Sequence, residues 1–202
     1  MTHLRSKIVY FLHGSVLPVV LSASVDLNVA LAVKVKVQRS RIAYLSNPKP
    51  IEGQQLPTIL AKTLEGRAGV VDFRPEGPPT ILYVFSPSCH WCARNLQNLR
   101  SVRDALGGRF RFIGLSLSKK DLSAYVARTG LSFPVFTEPS DASSLAYHFS
   151  ETPETWVISG SGKLKKRWAG AWTGDTQKEI ESFLGVALPG LLDDAAAGSG
   201  LH

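Results

Sequence analysis

Cys89 and Cys92 are the only cysteines in the chain, and they stand three residues apart in Ser86-Pro87-Ser88-Cys89-His90-Trp91-Cys92. Upstream, Thr80-Ile81-Leu82-Tyr83-Val84-Phe85 is a nearly continuous run of β-branched and aromatic residues, which predicts a strand buried on both faces. Downstream, Cys92, Leu96, Leu99, Val102 and Leu106 recur at spacings of three and four, which predicts one helix stripe ending at Gly107-Gly108. Both sulfurs therefore sit on a strand-to-helix turn. Cys89 falls near the helix start, where unpaired backbone N–H groups and the positive end of the dipole favour a thiolate, while Cys92, one turn later, faces inward.

Such a pair can close a small disulfide ring, attack another disulfide, or ligate metal. Zinc needs two further ligands, and His3, His13, His90, His148 and His202 offer no second paired motif. A structural disulfide and a redox-active dithiol both remain open on spacing; the strand-CxxC-helix setting favours the dithiol, working with no metal and no other cofactor. The net charge is +7, yet no segment interleaves bases with aromatics, which speaks against nucleic acid. The densest basic cluster, Lys163, Lys165, Lys166 and Arg167, lies in an expected hairpin and reads as a solvated face, with a docking surface for an acidic partner or lipid headgroups as the rival. Cysteine count does not choose the compartment.

Residues 1–37 read as a targeting segment: Arg5 and Lys7 precede an apolar stretch from Ile8 to about Val33. It is long enough to span a bilayer, but Asp26 would cost about 2.5–3.5 kcal/mol at the membrane centre and so belongs near an interface. The rivals are a signal peptide cleaved near Ala30-Leu31-Ala32 or Ser22-Ala23-Ser24 and a buried helix of a cytosolic domain. Lys34, Lys36, Arg39 and Arg41 outnumber the two bases in front, against a simple N-inside anchor. Residues 38–55, with Pro48 and Pro50, read as a linker, residues 56–186 as the folded domain, and residues 187–202 as a disordered tail. Within the domain, Thr58–Leu64 and Val70–Phe73 form an expected β-hairpin. Phe110–Leu117 is a second strand, parallel to the first through a βαβ unit. A helix opening at Ser118, an edge-like Phe133–Phe136, a helix through Leu145, Ala146 and Phe149, a hairpin of Thr155–Ser159 and Leu164–Trp168, and a last helix capped by Asp175 or Thr176 with Ile180, Phe183 and Leu184 inward complete the reading.

This order, with Cys89-His90-Trp91-Cys92 after the strand and Thr152-Pro153 before an antiparallel hairpin and closing helix, resembles the thioredoxin fold: an α/β three-layer sandwich, a central mixed sheet flanked by helices. The leading hairpin, the N-terminal apolar segment and the Gly162-Lys163-Leu164 turn narrow the resemblance to the TlpA/ResA-like group of exported thiol-disulfide oxidoreductases, over about residues 54–186. The resemblance implies a cis Pro153, a form only about 5–6% of X–Pro bonds take. It also implies that Thr152 faces Cys89 and offers its backbone to an incoming substrate chain. Two departures stand out. The position six before the first cysteine, acidic in many thioredoxins, is Tyr83, and the inter-cysteine pair is His90-Trp91. His90, if charged, stabilises the Cys89 thiolate and makes the disulfide more oxidising; otherwise it is a solvated helix-start residue. Trp91 reads as an exposed rim that docks a substrate chain.

The expected function is therefore reduction of protein disulfides on the outer side of a bacterial cytoplasmic membrane. Cys89 is the attacking thiol, Cys92 the resolving one, and a membrane electron donor recharges the pair. The group resemblance makes apocytochrome c an expected substrate. The competing readings are a thiol peroxidase of the peroxiredoxin type, disfavoured because Leu82 stands where its proline is needed, and a non-enzymatic membrane-tethered assembly factor. Secretion after signal cleavage is the alternative location.

Overall fold

A computed structural model describes residues 20–39, 42 and 48–193, in two units divided after Asn47. In the first, residues 20–39 form helix α1, whose side chains, among them Val20, Leu27 and Val33, are exposed. Residues 1–19 of the expected targeting segment lie outside the described residues. Among the described residues, no helix is long and apolar enough to cross a membrane.

The second unit is built on a seven-stranded mixed sheet of order β2-β1-β5-β4-β3-β6-β7. Its strands are β1 (Ile59–Thr63), β2 (Ala68–Val71), β3 (Thr80–Phe85), β4 (Arg111–Ser116), β5 (Val135–Thr137), β6 (Glu154–Ile158) and β7 (Leu164–Ala169). The central β3 is buried at all six positions, as its uniform apolar composition requires, and pairs parallel to β4 and antiparallel to β6. Each of its large apolar side chains contributes about 1.5–3 kcal/mol by leaving water. On one face, Cys92 of α2 (His90–Arg94), Leu99, Val102 and Leu106 of α3 (Leu96–Leu106), Leu122 and Tyr125 of α4 (Leu122–Thr129), and Ile180 and Leu184 of α6 (Gly174–Leu184) pack on Ile81, Tyr83 and Phe85. On the other, Leu82, Val84, Trp156 and Ile158 pack against Tyr147 of α5 (Asp141–Tyr147) and Phe149.

Several sequence expectations change. The predicted single helix after Cys89 is divided at Asn95, which ends α2 and caps α3. Its side chain is committed to buried partners rather than to solvent. Residues 135–137 are an interior strand, because the β1–β2 hairpin extends the sheet beyond them; β5 pairs antiparallel with β1 and parallel with β4. Ser118 does not cap a helix. Its hydroxyl instead accepts from Lys120 N at 3.3 Å, and α4 begins after Asp121, which adopts a left-handed φ of 58°. Phe149 lies beyond α5, which ends at Tyr147 and is capped by His148. Thr173, not Asp175 or Thr176, is the N-cap of α6, and Phe183 is exposed, with its ring edge-to-face with Trp168 at 5.5 Å.

Both domain limits also move outward. The linker expected to reach residue 55 is structured from Pro48: Gly53 N donates to Leu164 O at 2.7 Å, Leu164 N to Gln54 O at 2.9 Å, and Gln55 bridges Lys163. At the other end, residues 187–192 of the expected tail are a docked strap, and residues 194–202 of it lie outside the described residues. Leu188 N donates to Glu181 Oε1 at 2.8 Å, Gly190 N to Asn98 Oδ1 at 2.9 Å, and Leu192 N to Arg94 O at 2.8 Å. Leu188 is buried, and these backbone groups find partners on α2, α3 and α6, so the strap satisfies the hydrogen-bonding demand that a free tail would leave to water.

Candidate active site

Phe85 ends β3, and Cys89 N donates to Ser86 O at 3.0 Å, closing the turn that delivers the sulfurs to the carboxyl end of the central strand. Cys89 is the N-cap of α2, with extended φ −81° and ψ 108°, and its Sγ accepts from Cys92 N at 3.1 Å. The first residue of the pair thus takes the place an Asp or Ser oxygen holds at other helix starts, so a backbone N–H already points at the atom where thiolate charge would form. Cys89 is half-buried; Cys92, 0% exposed, packs in the apolar core on β3. The two are joined in a disulfide. A sulfur with an outward face and a fixed donor beside a sulfur closed off by core is an asymmetric pair: one can meet another molecule, the other reaches only its neighbour.

The residues singled out in the sequence separate into two sets. His90 and Trp91 are exposed, their rings edge-to-face at 5.4 Å, and Arg94 lies over the Trp91 ring at 5.1 Å. The guanidinium holds the indole flat while leaving Trp91 48% exposed beside the disulfide. Thr152-Pro153 has a cis peptide bond and leads directly into β6, whose Glu154 stands opposite Val84 near the carboxyl end of β3. Both the cysteine turn and the proline turn therefore leave the same end of the sheet.

Beneath the cysteines lies a buried polar group that sequence reading missed. Tyr83 is 1% exposed, and burial pushes its phenol far above the ordinary range, so it is a neutral hydroxyl. Asn95 Nδ2 reaches Tyr83 Oη at 3.5 Å, while Asn95 Oδ1 accepts from Trp172 N and from Asn98 Nδ2, each at 3.3 Å. Trp172 Nε1 donates to Thr155 Oγ1 at 3.0 Å. The signal was present: an asparagine three residues after Cys92, inside an otherwise apolar stripe, has no reason to be there unless it finds buried partners.

On the opposite face of β6, Glu154 is fully buried. Its Oε2 accepts from Trp156 Nε1 at 2.9 Å and lies 3.5 Å from Arg167 Nε, while its Oε1 lies 3.7 Å from Lys49 Nζ. Burial raises its pKa, outweighing the attraction of Arg167 and Lys49. Arg167 also pairs with Glu151 at 3.8 Å, and Lys166 with Glu52 at 3.2 Å, so much of the basic cluster on β7 is neutralised within the domain.

No protein-family model matches the chain. A curated relative, the thiol-disulfide oxidoreductase ResA of Geobacillus thermodenitrificans, is 27% identical over 136 residues, covering 65% of this chain and 77% of the relative. The thioredoxin domain of a thiol-disulfide oxidoreductase from Bacteroides vulgatus superposes with a TM-score of 0.55 at 18% identity, over 67% of this chain and 99% of that one. A thiol:disulfide interchange protein of the thioredoxin family from Chlorobium tepidum does so with a TM-score of 0.53 at 17% identity, over 67% and 98%. The fold is thus thioredoxin-like, with the N-terminal hairpin as its extension. With its Cys89–Cys92 pair at the end of the central strand, the chain is similar to a relative named as a thiol-disulfide oxidoreductase.

Proposed function

We propose that this protein reduces disulfides of other proteins outside the cytoplasm, held at the cytoplasmic membrane by its N-terminal segment. The observation that carries the chemistry is the asymmetry of the pair: Cys89 Sγ at the α2 N-cap accepts from Cys92 N at 3.1 Å, and Cys92 is closed off in the core. In the reduced protein the Cys89 thiolate attacks one sulfur of a substrate disulfide and expels the other as a thiolate, forming a mixed disulfide. Cys92 loses its proton, attacks Cys89 Sγ, and releases the second substrate sulfur as a thiolate. The substrate gains two electrons, two protons from solvent complete its thiols, and the protein is left with the Cys89–Cys92 disulfide. A membrane dithiol donor reduces it again.

In this mechanism Trp91 is a flat platform for the substrate chain, and the Thr152 backbone before Pro153 pairs with that chain as a short strand. His90, when protonated, stabilises the Cys89 thiolate. The apolar run from Ile8, the exposed apolar side chains of α1 and the ResA relative support the location. The resemblance of the sequence to the TlpA/ResA-like group makes a disulfide-bonded apocytochrome c the candidate substrate.

Trapping tests the chemistry. Cys92→Ala is expected to accumulate a mixed disulfide through Cys89 when the reduced protein meets a disulfide-bonded substrate. Preferential trapping in Cys89→Ala would overturn the assignment. Location is read separately in spheroplasts of a bacterial host: added protease is expected to digest the thioredoxin-like domain, and a protected domain would contradict export.

A further inference from the structure

Beside the disulfide lies a cleft of about 580 Å³, lined on one wall by Pro87 and Ser88 and on the other by Ser118, Lys120, Asp121 and Arg128. Its two walls are fixed to each other by the sheet. The parallel β3–β4 ladder ends with Phe85 opposite Ser116, and Leu117 N donates to Phe85 O at 2.9 Å, so the two loops leave the same sheet end side by side. Asp121, Ala124 and Arg128 follow at spacings of three and four, which puts them on one side of α4; the small Ala124 between them keeps the cleft open.

Lys62 and Lys119 pair with Glu138, Lys166 with Glu52, and Arg167 with Glu151 and Glu154. Lys120 and Arg128, both exposed, form no ion pair among the described residues, and the Arg128 guanidinium rests on the Tyr125 ring at 5.8 Å. Asp121 is the one carboxylate in the lining and is also without an ion pair among those residues, so two cations face one anion in a concave wall adjoining Ser88-Cys89.

Resting on the disulfide-reductase reading, we propose that this cleft is a specificity site: it receives an acidic stretch of the substrate protein flanking the cysteine that joins Cys89. Lys120 and Arg128 attract the carboxylates of that stretch, so substrates with acidic flanks are attacked faster than those with basic ones. Because the pairs are solvent-exposed, each contributes modestly, and two together correspond to about a threefold to tenfold preference at low ionic strength.

The test uses the reduced full chain and three peptides of equal length, each with one intrachain disulfide and flanks of Glu, Gln or Lys. Each rate is taken relative to the same protein's rate with the uncharged bis(2-hydroxyethyl) disulfide. The expected order is Glu, Gln, Lys, narrowing as salt is added. Lys120→Glu/Arg128→Glu is expected to reverse the order, and Lys120→Gln/Arg128→Gln to level it. Equal relative rates for the Glu and Lys peptides, or an order unaltered in both double variants, would overturn the specificity site while leaving the reductase reading in place. Failure of the unsubstituted protein to reduce bis(2-hydroxyethyl) disulfide and all three peptides would instead overturn the reductase reading itself.

Discussion

Thr155 and Glu154 are neighbours on β6, yet they serve two buried polar clusters of opposite kind. Thr155 points to the cysteine side, where Tyr83, Asn95, Asn98 and Trp172 join it in a network with no ionised member. Glu154 points to the other side, into an ionic cluster with Arg167 and Lys49. The difference teaches where this fold accepts charge. A fixed buried charge beneath Cys92 would bias the protonation of both sulfurs, whereas neutral hydrogen-bonded groups brace the α2–α3 junction without doing so. On the far face a carboxylate is tolerated beside two cations and ties the Pro153 turn to β7 and to the segment entering the domain.

The comparison breaks most visibly at its largest side chain. Trp172→Ala removes a fully buried indole and its hydrogen bond to Thr155 Oγ1, and is expected to cost about 3–5 kcal/mol in urea unfolding. Arg167→Met leaves the buried Glu154 with Lys49 as its one cation, an expected loss of about 3 kcal/mol at neutral pH, since removing one partner of a buried ion cluster is costly. Asn95→Ala orphans the Trp172 N–H and the Asn98 amide, for about 1–3 kcal/mol in the same assay. A loss below 1 kcal/mol in either polar variant would show that its cluster is not holding the fold.

The smallest effect sharpens the contrast by pH. Burial raises the Glu154 pKa above its ordinary 4.5, so the folded protein holds that proton when the unfolded chain has released it. The stability from this linkage is complete below about pH 4.5 and is lost as pH rises through the folded value. Glu154→Gln, which resembles the protonated form, should therefore gain stability relative to the unsubstituted protein as pH climbs through that window, then level off. Urea midpoints across the range read this directly; a difference constant with pH would mean that Glu154 titrates alike in both states.

The legibility of the chain followed how local each cause was. β3 and the turn bearing Cys89 were readable because an apolar run and a helix start are written in adjacent residues. The interior place of β5 was not, because a three-residue strand takes its neighbours from the β1–β2 hairpin over sixty residues earlier. The docked strap at 187–192 escaped for a related reason: Pro- and Gly-containing sequence reads as unstructured, and the groups that satisfy it, Arg94, Gln97, Asn98 and Glu181, stand on distant helices. Tyr83 stands out in the sequence as a departure from the acidic position, but its partner Asn95 does not, because the helix stripe around it is defined by its apolar members.

The central claim is that one sulfur is poised and the other sheltered, and the most direct measurement is the pH dependence of iodoacetamide alkylation of the reduced protein, with the modified residue identified by mass spectrometry. The account predicts that Cys89 is alkylated first, with a midpoint below the roughly 8.5 of an ordinary thiol, and that Cys92 stays unmodified until the domain is unfolded. Alkylation of Cys92 before Cys89 in the folded protein, or a Cys89 midpoint at or above the ordinary value, would contradict it.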